Sequence, residues 1–160
     1  MIEEDWRVLT GQTSAALVPV EHGESFLVHK DVLSPWTDLV ARALDVGFSL
    51  RIASAWRGFD RQQLIWNGKA SGQRPVLDAC GNPLDACSMS EDALLFAMLR
   101  WSAIPGCSRH HWGTDLDVFD AAAVAQDYSV QLTTAECTDC GPFAALHDWL
   151  DAVLREESEK

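Results

Sequence analysis

One hundred and sixty residues are enough to bury one substantial core and too few to require two, so a single domain over residues 1–160 is expected. Twelve basic against twenty-four acidic side chains leave a net charge of −12, and the Lys and Arg are scattered along the chain, which argues against a nucleic-acid partner. The start MIEEDWRVLT is acidic where an export signal is basic and then apolar, and no apolar run reaches about eighteen residues. The expected protein therefore spans no membrane and is cytoplasmic, or periplasmic if its N-terminus has been trimmed.

In chain order, a short helix is expected near Glu3–Leu9 and a strand at Ala15–Val20, with little other pattern in the first thirty residues. Ser34-Pro35 reads as an N-cap followed by proline at the first helical position, and Trp36, Leu39, Val40, Ala43 and Leu44 recur at helical spacing up to Gly47. Phe48, Leu50 and Ile52 alternate with Ser49, Arg51 and Ala53, the period of a half-buried strand that delivers the segment SAWRGFDRQ. A helix follows from Phe59 to about Asn67, then a long Gly- and Pro-rich surface loop over 68–88.

Ser88-Met89-Ser90-Glu91 has the form of a capping box, and Leu94, Leu95, Met98, Leu99 and Ser102 mark a helix face ending before Pro105-Gly106. Thr114–Phe119 alternates like a strand, which puts Asp115 and Asp117 on one face. Tyr128–Leu132 reads as a further strand, and Gly141-Pro142 opens a last helix with Phe143, Leu146, Leu150, Val153 and Leu154 inward. The five cysteines are an odd number, which fits free thiols in a reducing compartment. Cys137 and Cys140 form a C-x-x-C pair, but no second pair of similar spacing completes a structural zinc site.

The segment SRHHWGTDLD carries the chemistry. A metal that activates water needs about three protein ligands and one open position, and imidazole nitrogen with carboxylate oxygen suits zinc. His110 precedes the expected strand and Asp117 lies within it, and Gly113 gives the backbone freedom to fold one toward the other. The competing reading is a solvated row of polar residues on a strand face.

Ser108, His110, Gly113 and Asp117 fit S-x-H-x-x-G-x-x-x-D, and upstream Ser54, Trp56, Arg57 and Gln62 fit S-x-[YFW]-R-x-x-x-x-Q. Two spaced motifs in this order resemble the D-alanyl-D-alanine carboxypeptidases of the vancomycin-resistance type, in the zinc peptidase group that includes the hedgehog zinc domain. The resemblance implies an α+β fold with a small, mainly antiparallel sheet, helices packed on one face and a zinc cleft on the other. It implies Zn2+ held by His110 and Asp117, Arg57 stabilising charge on the scissile carbonyl, Ser108 orienting the loop or the bound peptide, and Gln62 supporting the site. The implied reaction is hydrolysis before a terminal D-alanine in a peptidoglycan stem peptide or its fragments.

Two departures stand out. The family often has alanine two residues before the aspartate ligand, where this chain has Asp115, which as a second carboxylate near the metal could offer an extra ligand or, as favoured, faces solvent; His111 is expected to neighbour the site without being a ligand. The family's third ligand and general base lie in an E-x-W-H segment, which this sequence does not contain; His147, the one histidine after Asp117, sits at the border of an apolar helix face and reads as packing. A chain short of its C-terminal catalytic piece is the expectation, and a noncatalytic peptide-binding relative of the same fold is the rival.

Overall fold

The computed structural model describes residues 2–22 and 24–158. In chain order the elements are α1 (Ile2–Leu9), β1 (Leu17–His22), β2 (Glu24–His29), α2 (Leu33–Asp45), β3 (Leu50–Ser54), α3 (Phe59–Ala70), β4 (Val76–Leu77), β5 (Pro83–Leu84), α4 (Glu91–Trp101), β6 (Asp117–Asp120), α5 (Thr134–Cys137) and α6 (Ala144–Ser158). The α+β class is as expected, and among the described residues its antiparallel strands divide into three two-stranded ladders, β1 with β2, β3 with β6 and β4 with β5. Two compact units result, one formed by residues up to 33 with 55–116, the other by 34–54 with the chain from 117 onward.

In the first unit β1 and β2 pair from Leu17 opposite His29 to Val20 opposite Phe26, and Val20 and Val28 are buried. β2 has no counterpart in the sequence reading, because Phe26, Leu27 and Val28 are an unbroken apolar run with no period of its own. After α3, the stretch expected as an open loop is instead ordered around Asp78. Its carboxylate accepts the backbone N–H groups of Cys80 and Asn82, both at 2.8 Å, and these bonds with the Asn82 side chain hold its pKa below the ordinary carboxylate value. The turn so made lets β4 and β5 pair.

α4 is capped by Ser90, whose side chain accepts from Ala93 N–H, and not by Ser88, which ends a preceding 3-10 turn. Met98 and Ser102 are buried, and Trp101 donates its indole N–H to the Asp78 carbonyl at 2.9 Å. Leu95 and Leu99, expected inward, are exposed. The inward face is thus rotated by one position, following Leu94, Met98 and Trp101.

In the second unit α2 begins at Leu33, straight after a 3-10 turn at Lys30–Val32, so Ser34 is no cap. Pro35 is tolerated because N–H groups in a helix's first turn have no intrahelical partner. Leu44, expected inward, is 68 % exposed. β3 and β6 pair from Leu50 opposite Asp120 to Ser54 opposite Asp117, with a bulge between Ile52 and Ser54. Buried Asp120 ends the ladder by accepting from Ser49 and Ala122 N–H at 2.8 and 3.0 Å.

The expected strand at Tyr128–Leu132 is not formed. Buried Glu136 takes its donors instead: Tyr128 O–H at 2.7 Å, Gln131 N–H at 3.2 Å and Thr133 N–H at 3.0 Å. Burial alone would raise the pKa of this carboxyl, but these donors outweigh it and hold it below the usual value. Amides bound to a carboxylate cannot join a ladder. Phe143 is wholly buried, with Phe119 and Tyr128 edge-on to it at 5.9 and 6.2 Å, above buried Leu146 and Val153 of α6; Leu154, expected inward, is exposed.

Candidate active site

Beyond β3 the chain enters the first unit at Ala55, and the next residues are stitched to a 3-10 turn at Arg109–Trp112. Trp56 donates its backbone N–H to Leu27 of β2 at 3.1 Å and its indole N–H to the His111 carbonyl at 3.1 Å. Arg57 N–H donates to the His110 carbonyl at 3.0 Å, and the Arg57 carbonyl accepts from Nδ1 of His111. The arginine and histidine motifs, far apart in sequence, are therefore joined through their own backbone groups.

The Arg57 side chain is fixed from the other side. Nη1 donates to Oε1 of Gln62 at 2.9 Å, and Gln62, fully buried on α3, spends its amide N–H on the Ala103 carbonyl at 2.6 Å. Lys69, further along α3, donates to buried Ser102 at 2.6 Å, and burial first, then Arg57 and Arg74, lower its pKa. Positive charge is thus gathered around Arg57 in a chain that is strongly acidic overall. Between residues 11–14 and the Trp56–Arg61 segment lies a cavity of about 510 Å³, lined in part by Thr13, Ser14, Trp56 and Phe59.

The turn itself depends on two glycines. Gly113 closes it at φ +71°, where a Cβ would lie 2.6 Å from the Leu17 side chain and 2.8 Å from His29 N, and its carbonyl accepts from that same His29 N–H at 2.8 Å. Gly11, at φ +72°, leaves room for the His111 ring. His111 is 1 % exposed; its Nδ1–H bonds Arg57 O and its Nε2 accepts from Gly106 N–H at 3.0 Å. The sequence marked it only as a neighbour of the site, but it is the ring that joins three segments there.

Ser108 is buried and starts the turn without a side-chain cap. The His110 side chain is 13 % exposed, and its Nδ1 lies 3.1 Å from the Asp115 carbonyl. A carbonyl only accepts, so Nδ1 carries a proton and donates it to the Asp115 carbonyl. Asp115 does not share a strand face with Asp117, since β6 begins only at Asp117. Its carboxylate turns to Arg109 at 3.5 Å and to His110 Nε2 at 3.8 Å. Arg57, Gln62, Ser108 and His110 belong to the first unit, whereas Asp117 opens the ladder of the second, opposite Ser54.

Imidazole nitrogen and carboxylate oxygen are donor types that suit zinc, and a carbonyl that accepts from Nδ1–H is a common support for a metal-ligating histidine. Among the described residues no three His, Cys, Asp or Glu side chains form a metal-holding group. The cysteines are free, four of them exposed, with burial first and then Glu136 raising the Cys137 pKa. The His147 ring has a buried Nε2 without a hydrogen-bond partner.

The fold is that of the VanY-family peptidoglycan peptidases. The family model of VanY, D-alanyl-D-alanine carboxypeptidase, matches residues 25–156, and the chain belongs to that family. An uncharacterized protein of Haemophilus influenzae is 37 % identical over 99 residues, 61 % of this chain and 68 % of that one. Among solved structures, VanYB in complex with D-alanine-D-alanine superposes with a TM-score of 0.56 at 21 % identity, over 85 % of this chain and 59 % of that one. A mutant of the vancomycin-resistance D,D-pentapeptidase VanY from a VanB-type cassette, in complex with Zn(II), superposes at 0.50 and 23 % identity, over 66 % of this chain and 52 % of that one. At these identities the structural likeness establishes the fold, and the chain spans between half and three-fifths of those solved chains.

Proposed function

We propose that this chain belongs to a zinc-dependent D-alanyl-D-alanine carboxypeptidase that acts on peptidoglycan stem peptides or their fragments. The observation that carries the reading is the lock between Arg57 and the histidine turn, in which the backbone of Arg57 is bonded to both His110 and His111 while its guanidinium is held by buried Gln62. A preorganised cation favours hydrolysis of an amide, because negative charge grows on the carbonyl oxygen as the bond is attacked.

In this reading His110 and Asp117 are the ligands this chain contributes to zinc, which when bound supplies Lewis acidity to the carbonyl and to the attacking water. Arg57 neutralises the developing oxyanion, and Gln62 keeps the guanidinium from reorienting as charge appears. Ser108 shapes the histidine turn, and the cavity beside Trp56 takes the body of the peptide upstream of the cut bond. The third ligand and the proton acceptor belong to the E-x-W-H pair of the resemblance, which residues 1–160 do not contain.

The test uses protein expressed from the complete reading frame, assayed for D-alanine released from a peptide ending in D-alanyl-D-alanine, with bound zinc measured in parallel. Release with unit zinc, zinc lost in His110→Ala and in Asp117→Ala, and a fall in kcat of roughly a hundredfold or more in Arg57→Ala are expected. Unit zinc without release identifies the peptide-binding relative. Zinc retained in His110→Ala overturns the site.

A further inference from the structure

Gln62 is wholly buried, and its amide has one workable orientation. The Ala103 carbonyl only accepts, so the amide nitrogen faces it at 2.6 Å, which leaves Oε1 to accept from Nη1 of Arg57 at 2.9 Å. Turned over, the same amide would set N–H against guanidinium and oxygen against carbonyl. The direction of the Arg57 side chain therefore depends on where the Ala103 carbonyl stands.

Ala103 lies just beyond α4, where the backbone has already left the helix, Ser102 having φ −150° and ψ 126°. Two adjacent bonds tie the chain at this point to α3. Gln62 reaches Ala103, and Lys69 donates from Nζ to Oγ of buried Ser102 at 2.6 Å. Gln62 and Lys69 both lie on α3, about two turns apart, and so share a face. A tie between two helices needs no charge, yet a cation stands here at a cost: burial first, then the charges of Arg57 and Arg74, lower the Lys69 pKa. The position is unfavourable for a lysine unless its donor is used, and Ser102 is what uses it.

We propose that Lys69, acting through Ser102, is a positioning residue for Arg57. The Lys69–Ser102 bond anchors the segment leaving α4 to α3, so that the Ala103 carbonyl holds the Gln62 amide in the one orientation that accepts from the guanidinium. Neither residue belongs to the two motifs around Arg57 and His110, and neither touches the peptide in this arrangement. The proposal rests on the reading of Arg57 as the partner of the developing oxyanion. Its consequence is that a cation's placement at the reacting carbonyl is set from the far side of a buried amide, through residues 102 and 103.

The test combines turnover with a readout that needs none. Protein from the complete reading frame is assayed for D-alanine release as Lys69→Met, Lys69→Arg, Ser102→Ala, Arg57→Ala and the double variant Lys69→Met/Arg57→Ala, with far-ultraviolet circular dichroism confirming the fold of each. In parallel, hydrogen exchange of the Gln62 side-chain amide is followed by nitrogen-15 nuclear magnetic resonance. Lys69→Met and Ser102→Ala are expected to lower kcat by roughly ten- to a hundredfold with KM little changed, because the interaction they loosen is made in the transition state. Both should speed exchange of the Gln62 amide, and Lys69→Arg, which keeps a donor, should restore most of the loss. Lys69→Met should add nothing to Arg57→Ala, since it acts through that residue. Wild-type kcat and exchange in a folded Lys69→Met overturn the proposal and leave the reading of Arg57 standing. Losses that multiply in the double variant, or a raised KM with kcat unchanged, also overturn it. Undiminished release in Arg57→Ala, or no release from the folded wild-type protein, overturns the reading of Arg57 and this proposal together.

Discussion

Successive residues of a 3-10 turn project about 120° apart, so the rings of His110 and His111 meet different surroundings. His110 keeps partial contact with solvent beside Asp115, while His111 is buried between Arg57 O and Gly106 N–H. A carbonyl on one side and an N–H on the other fix a neutral ring, and a second proton would turn the Gly106 contact from attraction to repulsion. Burial, the larger influence, lowers the His111 pKa from 6.5, the bond to Arg57 O opposes this, and the charges of Arg57 and His110 add to the lowering. The unfolded chain therefore takes up this proton at a higher pH than the folded chain does. The ring's contribution is whole above about pH 6.5 and is lost as pH falls through the folded value. Urea midpoints should drop between pH 7.5 and 5.5, and His111→Gln should flatten that drop while lowering the midpoint at both pH values. Removing the ring with His111→Ala strands two buried backbone groups and opens a cavity, a loss of about 2–4 kcal/mol. An unchanged midpoint in His111→Ala would show that the ring is not the joint between the segments.

Among the elements, the turn at Arg109–Trp112 needs Gly113 for two separable reasons, its left-handed backbone and its approach to the β1–β2 hairpin. Gly72, at φ +73°, has nearly the same backbone and nothing within 4 Å of its Cβ position, so it isolates the first reason. Gly72→Ala should cost about 1–2 kcal/mol, and Gly113→Ala measurably more, because His29 N must move and its bond to the Gly113 carbonyl is strained with it. Equal losses by chemical denaturation would mean that the contact with Leu17 and His29 relaxes freely. The motif residues around this turn were legible in the sequence, since short spacings such as S-x-H-x-x-G and W-R constrain which groups lie together. The direction of the His111 ring was not, because adjacency in a chain says nothing of which side of a turn a residue takes. Thr133-x-x-Glu136 was a legible signal left unread. It is a capping box, with the Thr133 and Glu136 side chains each bonded to the other's backbone, and recognising it would have withdrawn the strand expected at Tyr128–Leu132.

At the scale of the whole molecule, the α+β class follows from alternating and helical periods, but the division into units does not. Period-two alternation identifies a strand and its inward face without naming its partner, so the pairing of β3 with β6 across the intervening first-unit segment could not be read from either alone. Net charge belongs to this scale too, and it bears on stability directly. At −12 the folded chain concentrates like charges that the unfolded chain spreads apart, so self-repulsion works against folding. Ion pairs that salt would weaken include Arg42 with Glu156 and Glu157 at 3.5 and 3.2 Å, with all three side chains substantially exposed. Exposed pairs of this kind contribute about 0–1 kcal/mol, so screening removes more repulsion than attraction. Raising sodium chloride from about 20 mM to about 0.5 M, which shortens the screening length to a few ångströms, should raise the urea midpoint at pH 7. The same step near the isoelectric point of about 4.6 should leave the midpoint almost where it was, because the net charge to be screened has gone. A midpoint that falls with salt at pH 7 would show that attraction among the paired charges, and not the excess of carboxylates, sets the electrostatic contribution to this fold.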